Sequence, residues 1–149
     1  MDHELLRRAY DDANELYCVF TKGILARHCS CAQAERFFIA EREGINCKSQ
    51  LAQARCAEFM HLIRNQAKFA LRTTGTKDLV HAKELKLQIG SLRGLQAALH
   101  TDSNLPVDTD VNTLLIMAQH QFDNFHALPL NLIIQHIAAF AVRSRKRIS

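Results

Sequence analysis

The sequence predicts an all-α fold, a compact bundle of about six helices forming a single domain over residues 1–149. Three observations carry this. Apolar residues recur at three- and four-residue intervals along most of the chain, the period of one helix face. Capping residues and glycines punctuate those runs at helix-length spacing. No stretch alternates apolar and polar residues for long enough to make a convincing strand.

Helix one is expected over about Asp2 to Ala26, with Leu5, Leu6, Ala9, Ala13, Leu16, Tyr17, Phe20 and Ile24 as its core stripe. Ser30 can cap a second, short helix, with Gln33 three residues on as in a capping box and Gly44 as its stop after Glu43. Ser49 can cap a third, the most regular, whose Ala52, Cys56, Phe59, Met60, Ile63, Ala67, Ala70 and Leu71 share a face until Gly75. A fourth starts at Thr76 or Asp78 and runs to about His100. Its Gly90 and Gly94 leave a notch that costs helix propensity, about 1 kcal/mol per glycine relative to alanine, and so points to a close helix approach. Thr101 to Asp108, containing Pro106, reads as the longest loop. Asp108 or Asp110 opens a fifth helix through Phe125, and Pro129 fits the first turn of a sixth that ends in a basic tail.

With 48% apolar and 23% charged residues the composition is that of an ordinary globular chain, long enough to close one core. The longest apolar stretch, Leu130 to Val142, is interrupted by Asn131, Gln135 and His136 and is too short to span a bilayer, so no membrane association is expected. The run Met1-Asp2-His3-Glu4-Leu5-Leu6-Arg7-Arg8 lacks the basic-then-apolar pattern that directs export, and a cytoplasmic location is expected. The net charge of +4 is mild. Much of the excess sits in Arg143, Arg145, Lys146 and Arg147, where a solvated helix end complementing the helix dipole is the expected role and nucleic-acid binding is not.

The strongest chemical signal is the placement of the cysteines. All five fall within 39 residues, as Cys18-x10-Cys29-x-Cys31-x15-Cys47-x8-Cys56, and the following 93 residues contain none. In a reducing compartment disulfides do not persist, and an odd count leaves one thiol over in any pairing within the chain. Thiolates are the preferred ligands of zinc and of iron–sulfur clusters, and four of them complete either site. Cys29 and Cys31 are expected at a helix start and Cys47 in a connection, where backbone N–H groups favour the thiolate. Cys18 falls opposite the apolar stripe of helix one, which argues against simple packing. Cys56 lies on the stripe of helix three, where packing explains it equally well.

All five cysteines are therefore candidate cofactor-binding residues, with Cys18, Cys29, Cys47 and Cys56 as the expected ligands and Cys31 as the most dispensable. One geometric difficulty stands against a single site. A straight helix from Cys31 to Glu43 would be about 18 Å long and would hold Cys31 and Cys47 apart. A single centre then requires helix two to be shorter than its pattern, or the Glu43-to-Lys48 segment to fold back.

The elements Cys-x-Cys-x-x-Ala at 29 to 34, Ala54-Arg55-Cys56, Ala67-Lys68-Phe69-Ala70-Leu71, His81-Ala82-Lys83 and Gly90-x3-Gly94-Leu95-Gln96 resemble those of small bacterial cysteine-containing helical proteins of unassigned function, over residues 18–97. The resemblance implies an ordered cysteine site and says nothing of substrate.

Other chemistry has less support. Among eight histidines none forms H-x3-H or H-E-x-x-H; His28, beside Cys29, is the one that could replace a thiolate. Glu58-Phe59-Met60-His61 has the E-x-x-H spacing of di-iron bundles but occurs once. The expected function is a cysteine-ligated metal protein in electron transfer, redox sensing or support of another enzyme, with a [4Fe–4S] cluster favoured over zinc, a protein partner or a second copy as its companion, and no catalysis by the chain itself. The alternative is a metal-free helical regulatory module that dimerises through Gly90 and Gly94 and touches nucleic acid with its tail.

Overall fold

The computed structural model describes residues 3–13, 16–68, 80–99 and 110–140. These form α1 (His3–Ala13), α2 (Thr21–Leu25), β1 (Ala34–Ile39), β2 (Arg42–Cys47), α3 (Gln50–Gln66), α4 (Val80–Ala98), α5 (Val111–Phe122), a single 3-10 turn (Phe125–Ala127) and α6 (Leu130–Ala139). The fold is mainly helical, and it is not all-α: an antiparallel hairpin stands where helix two was expected.

The hairpin forms because Phe37, Phe38 and Ile39 are aromatic and β-branched residues suited to a pleated surface. Ala40 takes a left-handed φ of 56° in the two-residue turn that follows. The register runs from Ile39 opposite Arg42 at the turn to Ala34 opposite Cys47 at the open end. Gly44 is thus no helix stop but a buried strand residue paired with Phe37.

Helix one is also broken. After α1 the chain emerges at Leu16 and runs extended along the free edge of β2, with Tyr17 bridged to Asn46. The Cys18 N–H donates to the Ile45 carbonyl at 2.9 Å and the Cys47 N–H to the Leu16 carbonyl at 2.7 Å. Of the expected stripe, Phe20 and Ile24 are buried, whereas Leu5 and Tyr17 are 60% and 51% exposed. Residues 17–20, Tyr-Cys-Val-Phe, have the side chains of a strand, and a vacant sheet edge decided their conformation over a locally plausible helical period.

The later helices follow their sequence signals. Ser49 caps α3, its hydroxyl accepting from the Ala52 N–H, and Asp110 caps α5, accepting from the Thr113 N–H. α3 buries Ala52, Cys56, Phe59, Met60, Ile63 and Ala67, the face the periodicity marks out. Ala70, Leu71, Gly75, Thr76, Asp78, His100, the Thr101-to-Asp108 loop and the basic tail lie outside the described residues.

α4 is the central helix. Residues 87–92, Leu-Gln-Ile-Gly-Ser-Leu, are buried on every side, so this stretch is enclosed by its neighbours rather than lying on them. Gly90 and Gly94 face α6. A Cβ at Gly90 would stand 2.5 Å from the Ile137 Cα, and one at Gly94 2.7 Å from the Ile133 Cα. The notch is filled from within the chain, so this face is not free for a second copy. Across α4, the buried Gln88 accepts from the Gly23 N–H at 2.9 Å and donates to Glu84, which holds Arg64 in a two-pronged ion pair. This relay fastens the short α2 to α4 and α3. One continuous cluster of buried apolar side chains extends from Phe20 to Phe140. Among the described residues no helix is long and apolar enough to cross a membrane.

Gly94→Ala gains about 1 kcal/mol of helix propensity but drives a Cβ into the α6 backbone, an overpacking that costs about 1–3 kcal/mol. The expected outcome is a lower urea midpoint at an unchanged slope, with Gly94→Leu worse. A raised midpoint for Gly94→Ala would show that the two helices do not depend on this contact.

Candidate metal centre

Four of the five cysteines come together, each from a different segment. Cys18 lies in the extended run before α2, Cys31 in the loop before β1, Cys47 at the end of β2 and Cys56 in α3. Their side chains line one small recess, closed off by Val19, Phe20, Ile24, Ala34, Ala52 and Val111. The hairpin makes this possible. Because Ala34 pairs with Cys47 and the Ala34 N–H donates to the Cys31 carbonyl at 3.1 Å, the distance that a helix would have put between Cys31 and Cys47 is abolished. Lys48 N–H reaches back to the Gln33 carbonyl at 2.7 Å and locks the same end.

Cys29 is placed elsewhere. It is buried beside Gly23 and faces a smaller recess with His28, Ile89, Leu92, Arg93 and Leu114. Cys31, expected to be dispensable, therefore occupies the place given to Cys29. Only Ser30 separates the two, yet Cys29 packs beside Gly23 while Cys31 lines the four-cysteine recess. His28 packs edge-on against Phe140, with ring centroids 5.7 Å apart, and does not line the four-cysteine recess. Glu58 and His61 are both exposed on α3.

All five cysteines are free thiols. Burial pushes Cys18 from its ordinary value of 9.0 up to about 11, reinforced by Cys31 and Cys47 and opposed by the Phe20 N–H and the Thr21 hydroxyl. Burial raises Cys56 as well, with Cys18, Cys31 and Cys47 adding to it and the Arg55 guanidinium opposing. Cys31 is raised by burial and by the nearby Asp110 and Cys47, while the N–H groups of Gln33 and Asn112 pull the other way. Cys29 is raised to about 12, chiefly by burial. The Cys47 thiol donates to the Ser49 carbonyl at 3.2 Å. The recess thus assembles thiols that repel one another as thiolates. A bound cation would reverse that balance by compensating their charge.

Among the described residues no group of three or more His, Cys, Asp or Glu is gathered to hold a metal ion as the side chains stand. The four thiols converge on a recess rather than a point. A single tetrahedral zinc, with Zn–S of about 2.3 Å, would need its sulfurs roughly 3.8 Å apart.

Sequence reasoning missed the backbone groups that serve the site, the N–H groups of Phe20, Gln33 and Asn112. It read Asp110 only as a helix cap. The cap was legible; the loop it also holds was not, because that contact joins residues 78 apart. The chain matches no known family model, no curated protein and no solved structure.

The thiols make a pH prediction for the metal-free protein. The unfolded chain releases thiol protons near pH 9 while the folded one retains them to about 11 at Cys18 and about 12 at Cys29. Stability is then fully present below pH 9 and falls as pH rises toward 11, by up to about 1.4 kcal/mol per pH unit for each such thiol. Urea midpoints that stay level from pH 8.5 to 11 would contradict the burial of these groups.

Proposed function

We propose that this chain is an iron–sulfur protein in which Cys18, Cys31, Cys47 and Cys56 supply four thiolates to a [4Fe–4S] cluster, and that it acts in electron transfer or redox sensing, or in support of another enzyme. The observation that carries the proposal is the convergence of these four thiols, from segments spread over 39 residues, on one apolar recess. Four cysteines are the usual ligand complement of such a cluster. When bound, it would supply one-electron chemistry at a potential governed by its burial and by hydrogen bonds to its sulfurs.

The chain's own groups suit that role. The Phe20 N–H is directed at the Cys18 sulfur, and those of Gln33 and Asn112 at Cys31, where they stabilise thiolate over thiol. Phe20, Ile24 and Val111, each less than a twentieth exposed, keep water from the recess. Cys18 also borders an open groove with Tyr17, Lys22, Met60, His61 and Arg64. A single zinc ion is the alternative, and it requires the four sulfurs roughly 3.8 Å apart. The thiols would have to draw together to serve it.

The test is anaerobic reconstitution with ferrous iron and sulfide, followed by iron and sulfide analysis. About four of each per chain are expected, with broad visible absorption. Cys18→Ser, Cys31→Ser, Cys47→Ser and Cys56→Ser should each lose most of the iron and the thermal stabilisation that iron confers, since metal binding is linked to folding. Cys29→Ser should keep its iron. It should nonetheless melt earlier, because a buried hydroxyl without a partner costs about 1–3 kcal/mol. Iron lost on Cys29→Ser but kept on Cys31→Ser would reverse the assignment. A chain that takes up neither iron nor zinc would reduce the recess to packed thiols.

A further inference from the structure

Beside the recess, Asp110 joins the Cys31 loop to the start of α5. One carboxylate oxygen accepts from the Ala32 N–H, immediately after Cys31. The other accepts from the Thr113 N–H and the Thr113 hydroxyl, both at 2.8 Å, capping α5. The neighbouring Val111 N–H donates to the Ser30 carbonyl at 2.9 Å, so residues 30–32 are held against the first turn of α5 on both sides of Cys31. In this arrangement the Asn112 N–H, from the same turn, is aimed at the Cys31 sulfur.

We infer that Asp110 is a positioning residue of the cysteine site: it fixes the Cys31 corner against the start of α5 and sets a permanent negative charge beside that corner. The inference rests on the cluster reading given above. Only a side chain with two accepting oxygens serves both ends of the bridge. An asparagine keeps one acceptor, enough for the α5 cap, where it ranks with aspartate, and turns its NH2 toward the Ala32 N–H, a donor facing a donor. Its two oxygens accept from the Ala32 N–H, the Thr113 N–H and the Thr113 hydroxyl, a donor set suited to an ionised carboxylate. A fixed negative charge next to a ligand sulfur opposes adding an electron to a cluster, and Asp110 therefore lowers its reduction potential. The Arg55 guanidinium acts at Cys56 and is itself bonded to Asn112 and Gln119.

The test compares the full chain with Asp110→Asn and Asp110→Ala. In the metal-free protein Asp110→Asn should melt close to the parent, while the Ala32 amide exchanges with deuterium about tenfold faster or more, the weight of one hydrogen bond to a charged acceptor. After reconstitution with ferrous iron and sulfide, the Asp110→Asn cluster should have a more positive reduction potential and lose iron faster to a chelator. Asp110→Ala should additionally melt earlier through loss of the cap. A parent that takes up no iron overturns the cluster reading, and this inference with it. A parent that takes up iron while Asp110→Asn leaves the potential unchanged overturns this inference alone, and faster Ala32 exchange would then mark Asp110 as a structural cap.

Discussion

The site depends on the two edges of β2. One edge carries β1 and thereby the loop holding Cys31; the other carries residues 16–18 and thereby Cys18; Cys47 ends the strand itself. Backbone hydrogen bonds, not side-chain contacts, bring three of the four thiols to one place. This matters energetically because thiols have little attraction for one another and their ionised forms repel. A cysteine cluster has to be imposed by a scaffold that is stable for other reasons, and here a paired strand with both edges satisfied provides it.

The fourth thiol comes from a helix, and the helical part of the molecule has a different organising contact. α4 is enclosed by its neighbours, and its two glycines let α6 approach until backbone meets backbone. With α6 seated in that notch, the remaining faces of α4 are available to α2, α3 and α5. The relay from Arg64 through Glu84 and Gln88 to the Gly23 N–H then secures α2, which follows Cys18 by only three residues. An exposed ion pair such as Arg64–Glu84 contributes little by itself. Linked to a buried amide, it fixes the orientation of a five-residue helix that could not hold its own geometry.

Electrostatically the recess is asymmetric. Cys18 and Cys31 face backbone N–H groups, Cys47 donates to a carbonyl, and at Cys56, on the apolar face of α3, the Arg55 guanidinium opposes the effect of burial. At the Cys31 side, next to α5, the Gln33 and Asn112 N–H groups favour thiolate while the Asp110 carboxylate opposes it. Burial, peptide dipoles and one fixed charge are the protein's means of tuning whatever the four sulfurs hold.

Several features were legible in the residues because each is set by short-range chemistry. Ser49 and Asp110 cap helices through bonds three residues away, the apolar face of α3 follows from the period of a helix, and the Gly90/Gly94 spacing announces a close approach whatever the partner. That the cysteines form a group was legible from their confinement between Cys18 and Cys56. Which four of them face one another was not. Residues 30–44 carry a capping serine, a glutamine three residues on and a terminal glycine, local signs of a helix, yet Phe37, Phe38 and Ile39 pair with β2 instead. Residues 16–18 leave a helical period for the vacant edge of that same strand. In both places long-range backbone pairing outweighed local preference, which is worth only tenths of a kcal/mol per residue. Cys29 and Cys31, with one residue between them, differ in nothing a local pattern records, and only the tertiary packing puts one beside Gly23 and the other in the recess.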